Sequence, residues 1–270
     1  MIPVALSRAL LVIFVTLLSL TACGNNDDAA DGGGEITVFA AASLTDAFND
    51  LKADFETEHP GVTITYNFGG SQQLATQLVE GARADVFASA NYTQMEVAQD
   101  GDVVEGEPRL FSRNRLAIIV PNDNPADISE PPDLAQPGTK LVVAAEAVPV
   151  GGYTLEVLDK MSADPEFGED FRANVEANFV SLEDNVRQVV SKVALGEADA
   201  GVVYVTDVTA DVAPQVELVE IPEEFNVIAE YPIAMVQDGD AELANTFIDY
   251  VLSDAGQAIL QEYGFTELPS

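Results

Sequence analysis

Residues 36–89 read ITVFAAASLTDAFNDLKADFETEHPGVTITYNFGGSQQLATQLVEGARADVFAS, and their periodicity decides the fold class. Residues 36–40 are β-rich, 44–58 repeat apolar side chains at helical spacing, and 62–68 return to a strand pattern. Residues 74–81 again have helical spacing, 84–89 form a short apolar run bounded by polar residues, and 92–100 read as a short helix. Strands that alternate with helices in this way predict an α/β sheet of mainly parallel strands.

A second series follows. Residues 116–120 are a very apolar strand closed by Pro121, and 122–138 are a proline-rich loop. Strands are expected at 141–145, 200–206, 216–221 and 227–236. Helices are expected at 153–161, 165–178 and 186–195, with two more reaching Tyr263. Two α/β series joined by long strands would form a two-lobed clamp, although the return of the chain to the first lobe cannot be seen in the periodicity.

The N-terminus speaks to compartment. Arg8 precedes an apolar run that extends to Leu20 and ends at Leu20-Thr21-Ala22-Cys23. The run is too short for a permanent membrane span and has the pattern of a signal peptide over 1–22. Its end resembles a bacterial lipoprotein cleavage site, which implies a lipidated Cys23 on the outer face of the cell membrane. Residues 24–34, GNNDDAADGGG, lack the apolar content for a core, so 23–34 is expected to be a flexible tether. Cys23 is the single cysteine, so the chain can form neither an internal disulfide nor a multi-cysteine metal site.

The charge balance, 46 acidic residues against 11 basic and a net charge of −35, makes nucleic acid and acidic lipid poor partners. The acidic residues are scattered along the chain, as in a solvated surface suited to high salt. Catalytic machinery is hard to find. His59, the single histidine, stands before Pro60 at a helix end, and no nucleophile elbow is present. A hydrolase built on paired carboxylates is the remaining enzymatic reading.

Four stretches carry a resemblance: VFAAASLTDAF at 38–48, NFGGSQQLATQLVEGARADVFASA at 67–90, VPVGGYTLEVL at 148–158, and EDNVRQVV at 183–190 with AGVVYVTD at 200–207. Together with QEYGF at 261–265, they resemble the periplasmic molybdate-binding proteins of bacterial ABC importers. The resemblance implies the type II periplasmic-binding-protein clamp, each lobe a mainly parallel sheet flanked by helices. Lobe 1 would span 35–113 and 229–270, and lobe 2 would span 114–228. It also implies molybdate or tungstate as ligand, no cofactor, a membrane permease with its ATPase as partners, and a monomer. Sulfate, another tetrahedral dianion, is the second ligand reading.

A fully ionised oxyanion offers only acceptors, so hydroxyls and backbone N–H groups suffice to hold it. Helix N-termini suit this because their first N–H groups lack intrahelical partners. Ser43 can cap the helix that follows, with Asp46 completing a capping-box pattern, or it can face a ligand. Ser71 follows Gly69-Gly70, where a backbone can come close. The resemblance assigns both serines to the oxyanion, along with backbone N–H groups at Val150 and Val186 and the phenol of Tyr204. The same five residues would contact the metal only through the oxygens of molybdate. The Gly151-Gly152 pair leaves open which N–H near Val150 is the donor. Asp184 and Asn185 are both N-cap candidates for the helix that begins at Val186. Arg187 reads either as an anion clamp or as a partner in ion pairs.

Overall fold

The computed structural model describes residues 33–266 and 268. The signal peptide, Cys23 and all of the tether except Gly33 and Gly34 lie outside them. None of the helices among the described residues is long and apolar enough to cross a membrane.

The first series forms as its periodicity predicts. Strands β1 (Glu35–Ala41), β2 (Thr63–Gly69) and β3 (Val86–Ala88) alternate with helices α1 (Thr45–Glu58), α2 (Ser71–Val79) and α3 (Tyr92–Asp100). β1 pairs in parallel with β2 on one side and β3 on the other. On α1, Ala47, Phe48, Leu51 and Phe55 form the apolar stripe that its spacing requires, and all four are buried. Phe48 and Phe55 pack on Phe247, with ring centroids 6.3 and 5.4 Å away.

β4 (Val104–Pro121) is far longer than the expected strand at 116–120. Its first part carries Gly106 with φ of 75°, a proline and several charges, and its register slips between Glu105 and Arg109. That irregularity hides the strand from any period-two reading. The remaining elements are β5 (Leu141–Ala144), α4 (Pro149–Ala163), α5 (Phe171–Glu176), β6 (Phe179–Glu183), α6 (Val186–Ala194), β7 (Ala200–Tyr204), β8 (Val216–Val219), β9 (Ile228–Val236), α7 (Ala241–Leu252) and α8 (Asp254–Glu262). The expected helix over 165–178 shrinks to α5 because Gly168, with φ of 85°, turns the chain before it. The periodicity also passes over β6, whose Val180 and Leu182 are exposed at the sheet edge.

The strands run in the order β2-β1-β3-β9-β4-β7-β5-β6, with β8 on β4. Pairing is parallel in both flanks, where β5 lies between β6 and β7, and antiparallel about β4 and β9. β4 serves both flanks. Up to Arg115 it pairs with β9, and from Leu116 onward it pairs with β7 and β8. The chain passes from one half of the sheet to the other within β4 and passes back ahead of β9. Asn226 ties these crossings together, accepting from the Leu116 N–H at 3.1 Å and donating to the Leu116 carbonyl at 2.8 Å.

Candidate functional site

Four strand-to-helix junctions converge where the two halves of the sheet face one another. At the first, β1 ends at Ala41 and Ala42–Leu44 form a 3-10 turn that holds the buried Ser43. Ser43 does not cap α1, and no capping box forms with Asp46. Instead its Oγ lies 3.1 Å from the Tyr231 hydroxyl, while Asp46 receives Arg187 at 2.6 Å. At the second junction Ser71 opens α2, and its Oγ accepts the Ala90 N–H at 3.0 Å.

The third and fourth junctions present backbone. Pro149 starts α4, where its missing N–H is no loss, and Val150 follows as the next residue. A Cβ on Gly151 would drive into the carbonyl oxygen of Ala145, so this residue is pressed against the preceding loop. The Gly152 N–H is already taken by the Val148 carbonyl at 3.0 Å. At α6, Asn185 is the cap, accepting the Gln188 N–H at 3.1 Å. The Gln188 side chain in turn accepts the Asp184 N–H at 3.2 Å. Val186 is the first residue of that helix, so its N–H lacks an intrahelical acceptor.

Tyr204, at the end of β7, is 1 % exposed, and its hydroxyl has no hydrogen-bond partner among the described residues. Burial, followed by the neighbouring Tyr231, Tyr153 and Asp207, raises its pKa well above the ordinary phenol value. The group therefore remains an O–H donor. An unpartnered buried hydroxyl is costly, and here it faces a cavity.

Ser43, Ser71, Val150, Val186 and Tyr204 all line that one small cavity. Glycines 69 and 70 and the capping Asn185 join them, and no carboxylate is in its wall. Arg187 is not in the wall either. It lies behind it, within 2.6 Å of Asp46 and 3.2 Å of Asp207. Asp207 is fully buried, and its other oxygen accepts the Tyr204 N–H at 3.0 Å. Burial pushes its pKa up to about 6 against the opposing pull of Arg187.

The two halves also touch around the cavity. Gln72 donates to the Asp184 carbonyl at 2.9 Å, and Gln94 donates to the Ala147 carbonyl at 3.1 Å. Gly70 lies against the same Asp184 carbonyl, where a Cβ would collide with the oxygen. Sequence reasoning marks the glycine pair and marks Asp184 only as an N-cap candidate, and it marks neither Tyr231, Asn114 nor Asp207, which sit in ordinary-looking strands and a turn. His59, by contrast, stacks on Phe55 with centroids 4.0 Å apart, remote from this chemistry.

Residues 36–266 match the family described as bacterial extracellular solute-binding protein. The chain is 37 % identical to the molybdate-binding protein ModA of Mycobacterium tuberculosis over 264 residues, covering 95 % of this chain and 96 % of that one. It is 32 % identical to the molybdate-binding protein ModA of Escherichia coli, covering 92 % and 94 %. Among solved structures, the sulfate-binding protein SubI of Mycobacterium tuberculosis superposes with a TM-score of 0.74 at 17 % identity, covering 86 % of each chain, a likeness that concerns the fold alone. With the α/β fold and a donor-lined cavity between its halves, the chain belongs to the bacterial extracellular solute-binding protein family.

Proposed function

We propose that this protein is the extracytoplasmic binding component of an ABC importer for molybdate or tungstate, holding the dianion between two lobes and passing it to a membrane permease coupled to an ATPase. The observation that supports this most is the donor character of the cavity. Its hydroxyls come from Ser43, Ser71 and Tyr204, and the helix starts at Val150 and Val186 add backbone N–H groups. No cofactor enters this reading, and the metal would meet these residues only through its oxygens.

The ligand is the inner part of the reading. A fold shared with a sulfate-binding protein leaves both anions open, whereas the Mycobacterium tuberculosis and Escherichia coli relatives, at 37 % and 32 % identity, are named for molybdate. Mo–O and W–O bonds are longer than S–O bonds, so fixed donors spaced for the larger ion make poor contacts with the smaller. Micromolar molybdate or tungstate is expected to raise the melting temperature, while equal sulfate leaves it unchanged. Equal shifts with sulfate would transfer the assignment to that ion.

The mechanical reading takes 35–113 with 229–270 as one lobe and 114–228 as the other, working as a monomer. Closure around the anion would exclude water and strengthen each hydrogen bond, and the closed form would dock on the permease. The outer location belongs with a lipid on Cys23 following cleavage after Ala22. Replacing Cys23 with alanine is expected to release the protein from membranes, and retention of the variant there would remove the anchor. Saturable binding without turnover is the expected behaviour, and turnover that persists through purification would point to a carboxylate hydrolase.

A further inference from the structure

Two hydrogen bonds that cross between the halves beside the cavity share one construction. Gln72, the second residue of α2, donates through Nε2 to the Asp184 carbonyl at 2.9 Å. Gln94, the third residue of α3, donates through Nε2 to the Ala147 carbonyl at 3.1 Å. Asp184 immediately precedes Asn185, the cap of α6, and Ala147 immediately precedes Val148, which holds the same place before α4. In each case an amide from the first half of the sheet grips the carbonyl one residue ahead of a helix cap in the second half. These are the two helices whose first turns bring Val186 and Val150 to the cavity.

Neither side chain serves its own half. Among the hydrogen bonds of the described residues, the side-chain amides of Gln72 and Gln94 make these contacts and no others. Gln72 Oε1 is buried with no partner, a cost that a side chain placed only for its own helix would shed by turning out to water. Gln94 is buried as well. Each gripped oxygen is one end of a rigid peptide plane. Fixing the Ala147 oxygen fixes the plane that carries the Val148 N–H, which is itself bound to the Ala145 carbonyl at 2.9 Å. Fixing the Asp184 oxygen fixes the plane that leads into Asn185, and Gly70 closes on that oxygen from the same half as Gln72.

We propose that Gln72 and Gln94 are positioning residues, each reaching across the cleft once the halves meet and setting the helix start that presents a backbone N–H to the bound anion. This rests on the oxyanion reading of the cavity and on closure of two lobes around it. Because the bonds exist only with the halves together, they act after encounter, on how long the anion is kept and not on how fast it arrives. Both join a neutral amide to a neutral carbonyl, so each is worth about two- to tenfold in residence time.

The test is rapid filtration of wild type, Gln72→Met and Gln94→Met with radiolabelled molybdate, tungstate and sulfate, with the melting temperature of each protein recorded without ligand. Methionine keeps a side chain of similar length and removes the donor. Dissociation, followed by a chase with unlabelled anion, is expected to speed up about two- to tenfold in each variant, while the association rate stays within about twofold of wild type. The ligand-free melting temperature is expected to stay at the wild-type value, since the lost bonds are absent from the open form. The inference is overturned if dissociation is unchanged in both variants or if the association rate changes by the larger factor. It is equally overturned if the ligand-free melting temperature falls while both rates hold, which would make the glutamines props of their own half. Should one variant fail to fold, the split between rates in the other decides alone. Wild type that retains none of the three anions would instead overturn the oxyanion reading itself, a result visible without any variant.

Discussion

The two walls of the cavity are built by different means. On one, Ser43 and Ser71 bring side-chain hydroxyls that are hydrogen-bonded from behind, Ser43 with the Tyr231 hydroxyl and Ser71 with the Ala90 N–H. On the other, Val150 and Val186 bring apolar side chains and the first turns of α4 and α6, so any polarity there belongs to the backbone. Only Tyr204 adds a hydroxyl from that side. The difference teaches where substitution can act. A hydroxyl is removed by one change of side chain, but a backbone N–H stays through any change except proline and is disturbed only by moving its helix.

Moving the helix is therefore the severest way to break the comparison. Gly70 meets the Asp184 carbonyl, just ahead of α6, with no room for a Cβ. Gly70→Ala is expected to hold the walls apart and strand the backbone donors at Val186 and Val150, with a loss of affinity on the order of a hundredfold or more in calorimetry. Retained affinity would mean that the backbone wall is dispensable. Next come Ser43→Ala, Ser71→Ala and Tyr204→Phe. Each deletes one donor to a charged acceptor, roughly 1.5–3 kcal/mol, or about ten- to a hundredfold in Kd. If both serines were silent in titration, the hydroxyl wall would not be the binding wall.

A third expectation concerns the support behind the walls. The Asp207 pKa is raised to about 6 from an ordinary 3.8, mainly by burial. Between those values the folded protein keeps a proton that the unfolded chain has lost. Stability from this group is present below the lower value, declines as pH rises through the window, and is flat above about 6. Asp207→Asn should abolish that decline in denaturant melts taken across the same range, and an unchanged slope would show another group to be responsible. The smallest effect belongs to Val150→Ala and Val186→Ala. Both keep their N–H groups and should change affinity by less than about threefold, a few tenths of a kcal/mol. A loss as large as that of the serines would mean that the valine side chains themselves touch the ligand.

Legibility in the sequence followed the same division. Ser43 and Ser71 stand out because they sit between a strand pattern and a helix pattern, but a serine there reads as a cap or a turn, and the resemblance was needed to assign both to an oxyanion. The backbone wall left no mark of its own in composition, since valine is what a buried helix start can carry for packing alone, and it was reached only through the resemblance. β4 was half hidden because a bulge at Gly106 breaks its alternation. Tyr231 and Asn114 were invisible, because a tyrosine or an asparagine in a strand acquires its role from a partner more than a hundred residues away.

Arg187 has a consequence for time rather than strength. Its charge is matched by Asp46 and Asp207, so it offers an approaching anion little net attraction. The molecule as a whole carries a charge of −35. A dianion thus diffuses inward against a repulsive field, and added salt should speed its arrival by screening that field. Once enclosed as proposed, it would be held by short-range hydrogen bonds that bulk ions scarcely reach. Salt should therefore raise the association rate and leave the residence time nearly unchanged, the reverse of what is usual where an exposed cationic patch collects anions. In dilute medium the encounter would then be the slow step.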